Sequence, residues 1–221
     1  MNRWWKRRRR SHLDRRRRVR ALATLGVGAA ALLVWALLAY RIHEGRPPEW
    51  DERLLRFLSP QTQDAPVRAT LDAFADIVGD YQGLLFAGIV FGGLLVLGQA
   101  RAALAFALLL GASVATPAVL KPAFHRPSLI DEREGYFPST HAAGAAVVGI
   151  ALTRLAWPTR WRWPVLVSCL VLVAAYGGAL VYTRSHYPSD VLAGWCVALF
   201  LACGLSLVGS AAGRRSTGPS T

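Results

Sequence analysis

The sequence has few charged residues for its length and very few cysteines. Only 18% of its 221 residues are charged, whereas 53% are hydrophobic. The three cysteines, Cys169, Cys196 and Cys203, all fall within long apolar runs. Small packing residues are the simplest interpretation of cysteines in such runs, which argues against a disulfide framework and against a cysteine-based metal site. The sequence also has no internal repeat, which argues against a repeat array.

Long apolar runs occupy most of the chain. Five of them are uncharged and about 20 residues long, enough for a helix to cross the roughly 30 Å core of a bilayer. The sixth carries one charge, Arg154, close enough to its end to snorkel to the headgroups. The sequence therefore predicts an all-α, polytopic membrane protein with six transmembrane helices. The predicted spans are residues 21–40, 81–100, 102–120, 142–157, 164–183 and 191–213.

The formal net charge of +13 is distributed unevenly. The first 20 residues hold 11 Lys or Arg and a single acid, Asp14. A basic block could bind nucleic acid, but beside a span it more simply marks the cytoplasmic side and attracts anionic lipid. No other nucleic-acid motif is present, so we expect no nucleic-acid partner. The positive-inside rule then predicts a multi-pass protein of the cell membrane with both termini cytoplasmic.

The predicted organisation follows from these runs. Residues 1–20 form a basic cytoplasmic tail, and residues 21–212 form the membrane domain, with a motif-bearing core at about 83–205. Residues 213–221 are expected to be a disordered cytoplasmic tail. Between the first two spans, apolar residues at helical spacing predict short helices lying at the outer interface.

Three polar clusters fall in the predicted outer loops and at the starts of the spans that follow them. In the first, Lys121 and Arg126 are five residues apart. Two cations at that spacing can hold a tetrahedral oxyanion, or they can simply anchor the helix end at the interface.

The second cluster is the stretch 138–141, Pro-Ser-Thr-His, ahead of an alanine-rich run. Ser139 or Thr140 is expected to cap the helix that starts here. The exposed amides at such a start can bind an anion, and His141 in the first turn can give or take a proton. A plain helix cap with a buried histidine is the alternative.

The third cluster opens the final span, with Arg184, His186 and Asp190. The four-residue spacing lets the carboxylate meet the imidazole and fix its tautomer, which leaves the other ring nitrogen as a nucleophile or base. A purely structural pair is the alternative. Together the three clusters suit phosphoryl transfer without a metal or other cofactor. Metal binding by the histidines is the weaker use, because their neighbours are cations rather than carboxylates.

The motifs LKPAFHRP, FPSTHAAGA and RSHYPSDVLAGW, in this order on six spans, resemble the type 2 phosphatidic acid phosphatase (PAP2) superfamily. The resemblance covers roughly residues 50–210. It implies a lipid phosphatase with its active site on the outer or periplasmic side and a lipid phosphate, such as phosphatidic acid or a polyprenyl diphosphate, as substrate. By the resemblance, His186 is the nucleophile, Asp190 orients it and His141 is the general acid. The phosphate ligands it implies are Lys121, Ser139 and the amide at Thr140.

The chain departs from the family pattern in each motif. Ser128 stands where the arginine of the first motif is expected, and Arg126 matches an additional arginine that often precedes it. Thr140 replaces the usual glycine, and Ala179 and Leu180 stand in place of Ser-Arg.

Other arginines are candidates to replace the missing ones. Arg184 lies four residues after Leu180, so we expect it on the same helix face, with a side chain that reaches back to the phosphate. Arg126 and Arg133 are further candidates. A weakened or inactive protein that still binds lipid phosphate is the alternative to catalysis. A vanadate-dependent haloperoxidase is disfavoured, since such enzymes are soluble and need the missing arginines.

Overall fold

A computed structural model of the chain describes residues 3–58, 64–78, 80–127, 129 and 136–215. Its architecture is all-α, as the apolar runs predict. A single turn of 3-10 helix, Lys121–Ala123, follows the fifth α-helix. The α-helices within the described residues are α1 (Arg3–His43), α2 (Glu49–Leu58), α3 (Ala65–Val78), α4 (Asp80–Val96), α5 (Ala100–Leu120), α6 (Thr140–Ala156), α7 (Arg162–Tyr182) and α8 (Pro188–Arg215).

Four stretches within the described residues are long and apolar enough to cross a membrane. They are Arg15–His43, Ala100–Ala123, Arg162–Tyr182 and Pro188–Gly209. The other two predicted spans correspond to α4 and α6, which are also apolar but only 17 residues long each. Because a helix needs about 20 residues to cross the bilayer core, four spans are supported by helix length, and the count of six stays a prediction.

The regions outside these spans follow the prediction in part. Short helices were expected between the first two spans, and α2 and α3 confirm them. The disordered tail predicted for residues 213–221 stays a prediction, and α8 extends to Arg215. Residues 216–221 lie outside the described part of the chain.

Small residues let α6 pack closely in the interior. Its buried positions are Ala142, Ala143, Ala146, Val147 and Gly149. The alanine and glycine residues are small enough for neighbouring helix backbones to approach, which is how helices associate in an apolar solvent. Large apolar side chains such as Leu84, Ile89 and Val119 point outward instead, which fits a lipid-facing surface.

Several helix ends meet at one end of the bundle. The Ser139 amide at the start of α6 donates to the Asp190 carbonyl in α8, and the His186 amide donates to the Leu180 carbonyl in α7. The side chain of Arg126, just beyond α5, bonds Asp190 as well. The three polar clusters of the sequence are therefore neighbours in space.

Gly194 allows the closest of these approaches. A β-carbon at this position would lie 2.4 Å from the Ser139 carbonyl oxygen and 3.1 Å from the Ala143 amide nitrogen. Both atoms belong to backbone, which cannot rotate away as a flexible side chain can. The glycine therefore sets how closely α8 approaches the start of α6.

Replacing Gly194 with alanine should separate these two helices. We expect Gly194→Ala to destabilise the protein by about 1–3 kcal/mol, the usual cost of overpacking. Thermal unfolding in detergent, followed by circular dichroism, measures this as a lower midpoint. Gly204→Ala in the same helix is the matched control, since its new methyl group meets nothing within 4 Å. Equal midpoints for both variants would contradict this account of Gly194.

Candidate active site

The start of α6 forms one side of the site. Ser139 is the N-cap of this helix, and its Oγ accepts a hydrogen bond from the Ala142 amide at 3.2 Å. Of the two hydroxyl residues expected to cap the helix, Ser139 does so, while Thr140 is the first helical residue. The helix start is confirmed. Phosphate binding by Ser139 and the Thr140 amide stays a prediction.

Two histidines lie together beside this helix start. The rings of His141 and His186 have centroids 6.0 Å apart and are inclined by 60°. His186 is buried, with 4% of its surface exposed, while His141 is exposed. The ring of Tyr136 packs against His186 at 5.7 Å. One substrate group placed beside both imidazoles would be within reach of each.

Asp190 lies next to the buried ring of His186. Its Oδ2 is 3.6 Å from Nδ1 of His186, which is longer than a hydrogen bond. The same oxygen accepts a hydrogen bond from the Tyr187 amide at 3.0 Å. Among the described residues Nδ1 of His186 has no hydrogen-bond partner. A small closure of this gap would make the carboxylate hold the proton on Nδ1 and leave Nε2 free as a nucleophile.

The loop carrying His186 begins with a left-handed residue. Arg184 has φ of 63°, a conformation that costs a non-glycine residue about 1–3 kcal/mol. Its amide donates to the Val181 carbonyl, which closes the end of α7. The expectation that Arg184 shares a helix face with Leu180 is wrong, because α7 ends at Tyr182 and the chain turns before Arg184.

A buried ionic network lies behind Asp190. The guanidinium of Arg126 donates from Nη1 to Asp190 Oδ1 and to Ser189 Oγ, both at 2.6 Å. From Nη2 it donates to Asp51 Oδ2, again at 2.6 Å. These contacts turn Arg126 toward carboxylates. Its assignment as a phosphate ligand stays a prediction, and the geometry favours a structural role in the site.

Asp51 is a site residue that the sequence analysis missed. It comes from α2, and it is fully buried. Its Oδ1 accepts from the Ser189 amide at 2.9 Å, and its Oδ2 accepts from Ser189 Oγ. The available signal was its position, since Asp51 and Leu55 are four residues apart and share the buried face of an amphipathic helix. A carboxylate on an apolar face needs a buried partner.

Tyr187 completes the environment of the arginine. The guanidinium carbon of Arg126 lies 3.8 Å from the centroid of the Tyr187 ring, which is a cation–π contact. Burial raises the pKa of the Tyr187 phenol, and the positive charge of Arg126 acts in the opposite direction.

The remaining predicted residues lie at the rim or outside the described chain. Lys121 is in the 3-10 turn after α5 and is partly exposed, and its charge interacts with that of Asp190. Leu180, at the position of a family arginine, is buried in an apolar cluster with Tyr176 and Val191. Ser128 and Arg133 lie outside the described residues.

Comparison with known proteins supports the resemblance seen in the motifs. The family model described as the PAP2 superfamily matches residues 102–214, more than half of the chain. The fold is similar to that of a transmembrane PAP2-type phosphatidylglycerolphosphate phosphatase from Bacillus subtilis, with a TM-score of 0.70 at 19% sequence identity, over 84% of this chain and 96% of that one. A comparison with curated proteins gives no significant match. With its apolar helices and its converging histidine motifs, this multi-pass membrane protein belongs to the PAP2 superfamily.

Proposed function

We propose that the protein is a metal-independent lipid phosphatase. Its substrate is a lipid phosphomonoester or pyrophosphate, of the phosphatidic acid or polyprenyl diphosphate type. The observation that carries the proposal is the pairing of two histidines at the capped start of α6, with Asp190 beside the buried one. A nucleophile and a proton donor within reach of one group are the two parts that phosphoryl transfer through a covalent intermediate requires.

In the first step Nε2 of His186 attacks the phosphorus atom. A P–N bond forms, the P–O bond to the lipid breaks, and His141 gives a proton to the departing lipid oxygen. The carboxylate of Asp190 stabilises the positive charge that develops on the His186 ring.

In the second step a water molecule attacks the phosphohistidine. His141, which is now neutral, takes a proton from this water, the P–N bond breaks and inorganic phosphate leaves. His186 and His141 return to their starting states, so the cycle consumes one water for each phosphate released.

The phosphate itself needs positive partners. Lys121 and Arg184 are the candidates, together with Ser139 and the Thr140 amide at the dipole end of α6. Arg126 is not needed in this set, since its positive charge already faces two carboxylates.

An apolar groove supports a lipid as the substrate. It has a volume of about 470 Å³ and lies between α2, α7 and α8. Tyr182 and Pro188, the residues that flank the loop carrying His186, line one part of it. A hydrocarbon tail beside the site would occupy such a groove.

The positions of the charges support an outward-facing site. If the basic N-terminal segment is cytoplasmic, the opposite end of α1 and the site beside it are on the outer side. The exposed side chains of Arg15, Arg16 and Arg17 suit anionic headgroups at the inner surface.

Non-catalytic binding of lipid phosphate is the second candidate. The observation that favours it is Leu180, because apolar packing replaces an arginine of the family pattern there. Leu180→Arg is not a simple restoration, since it would place a charge inside an apolar cluster. This candidate predicts binding without turnover, which the next experiment distinguishes.

Purified protein should release inorganic phosphate from a lipid phosphate in the presence of EDTA. The panel includes phosphatidic acid, phosphatidylglycerolphosphate and a polyprenyl diphosphate. We expect His186→Ala to lower kcat by about a thousandfold or more, because the nucleophile is lost. His43→Ala is the matched control, an exposed histidine outside the site. Full activity in His186→Ala would contradict the mechanism, and binding without turnover by the unaltered protein would establish the second candidate.

The role of His141 is tested through the leaving group. We expect His141→Ala to lower kcat for a lipid phosphomonoester by about 10²- to 10⁴-fold, because an alkoxide leaves poorly without a proton. With an aryl phosphate whose phenol is acidic, formation of the intermediate should be affected much less, and a burst of phenol should precede slow turnover. An equal loss in the burst rate for both substrates would contradict the assignment of His141 as general acid.

A further inference from the structure

Asp51 lies outside the stretch that matches the family model, yet it is part of the candidate site. The match covers residues 102–214, whereas Asp51 belongs to α2. Asp51 is buried, with 1% of its side chain exposed. Its two oxygens accept hydrogen bonds from the amide and hydroxyl of Ser189 and from the guanidinium of Arg126.

The network contains more negative charge than positive charge. Arg126 supplies one positive charge to two buried carboxylates, those of Asp51 and Asp190. Each carboxylate holds a different nitrogen of the guanidinium, so the orientation of the arginine is fixed from both sides. Loss of either acid would let Arg126 turn toward the other.

The hydrogen bonds run from Asp51 to the carboxylate of Asp190, which lies beside the ring of His186. Asp51 holds Arg126, and Arg126 holds Oδ1 of Asp190. This leaves Oδ2 of Asp190 facing Nδ1 of His186. A second route is shorter, because Asp51 also binds Ser189, the residue directly before Asp190 at the start of α8.

We infer that Asp51 is a positioning residue for the proposed reaction. Through Arg126 and Ser189 it fixes the Asp190 carboxylate, and the carboxylate in turn fixes the tautomer of His186. The inference rests on the proposed function for its kinetic part only. Lys121, Tyr136, His141 and Tyr187 also lie close to the pair formed by His186 and Asp190.

The test compares Asp51→Asn with Glu49→Gln in the full-length protein. Both changes replace a carboxylate of α2 with its amide, but the side chain of Glu49 is 78% exposed and pairs with Arg53 on the surface. We expect Asp51→Asn to lower kcat by about 10- to 100-fold with KM changed less than about twofold, as for residues that orient a working group. Glu49→Gln should leave both constants unchanged.

A second readout does not depend on turnover. Nitrogen-15 spectra of histidine-labelled protein in micelles report the tautomer of each neutral imidazole, and the His186→Ala variant assigns the signal. In the unaltered protein we expect His186 to carry its proton on Nδ1, and in Asp51→Asn a mixture of the two tautomers. Absence of phosphatase activity in the unaltered protein would overturn the proposed function. The tautomer measurement would still test whether Asp51 positions His186.

A milder variant covers the case in which Asp51→Asn does not fold. Ser189→Ala removes one hydroxyl from the network and keeps every charge. It should shift the tautomer ratio of His186 in the same direction by a smaller amount. The inference is overturned if folded Asp51→Asn retains the His186 tautomer and the kcat of the unaltered protein, or if only its KM changes. If Asp51→Asn does not fold, the same outcomes in Ser189→Ala overturn the inference.

Discussion

The buried guanidinium of Arg126 is the centre on which the site depends. It bonds Asp51 of α2 and Asp190 of α8, and so joins the segment after α5 to two helices. Burying three charges is costly, and the cost is offset only when every charge has a well-placed partner. Here both carboxylates are bonded to the same cation and Asp51 also binds Ser189. The network therefore stabilises one arrangement of the helix ends that carry the histidines.

Close backbone packing supplies the second constraint. Gly194 lets α8 lie against the Ser139 carbonyl, and the Ser139 amide bonds the Asp190 carbonyl. The start of α6, which carries His141, is thus held at a fixed distance from the turn that carries His186. Because neither contact uses a flexible side chain, the positions of the two imidazoles are set by the backbone.

Local patterns predicted the parts of the site that are local in the chain. The cap at Ser139 and the four-residue spacing of His186 and Asp190 are readable without a fold, and so are the long apolar helices. Asp51 was missed because its partners lie 75 and 138 residues away, and no spacing rule reaches that far. The prediction that Arg184 shares a helix face with Leu180 assumed that the helix continues to Arg184. The helical period does not show where a left-handed residue ends a helix.

In the proposed mechanism, the phosphoryl group is bonded to His186 before it reaches water. In the most direct test, the protein is mixed with a lipid phosphate and the reaction is stopped in alkali, where phosphohistidine survives. Tandem mass spectrometry then identifies the residue that carries the phosphate. We expect phosphate on the His186 peptide during turnover and none in the His186→Ala variant. Phosphate release with no modified His186, or with the phosphate on another residue, would contradict it.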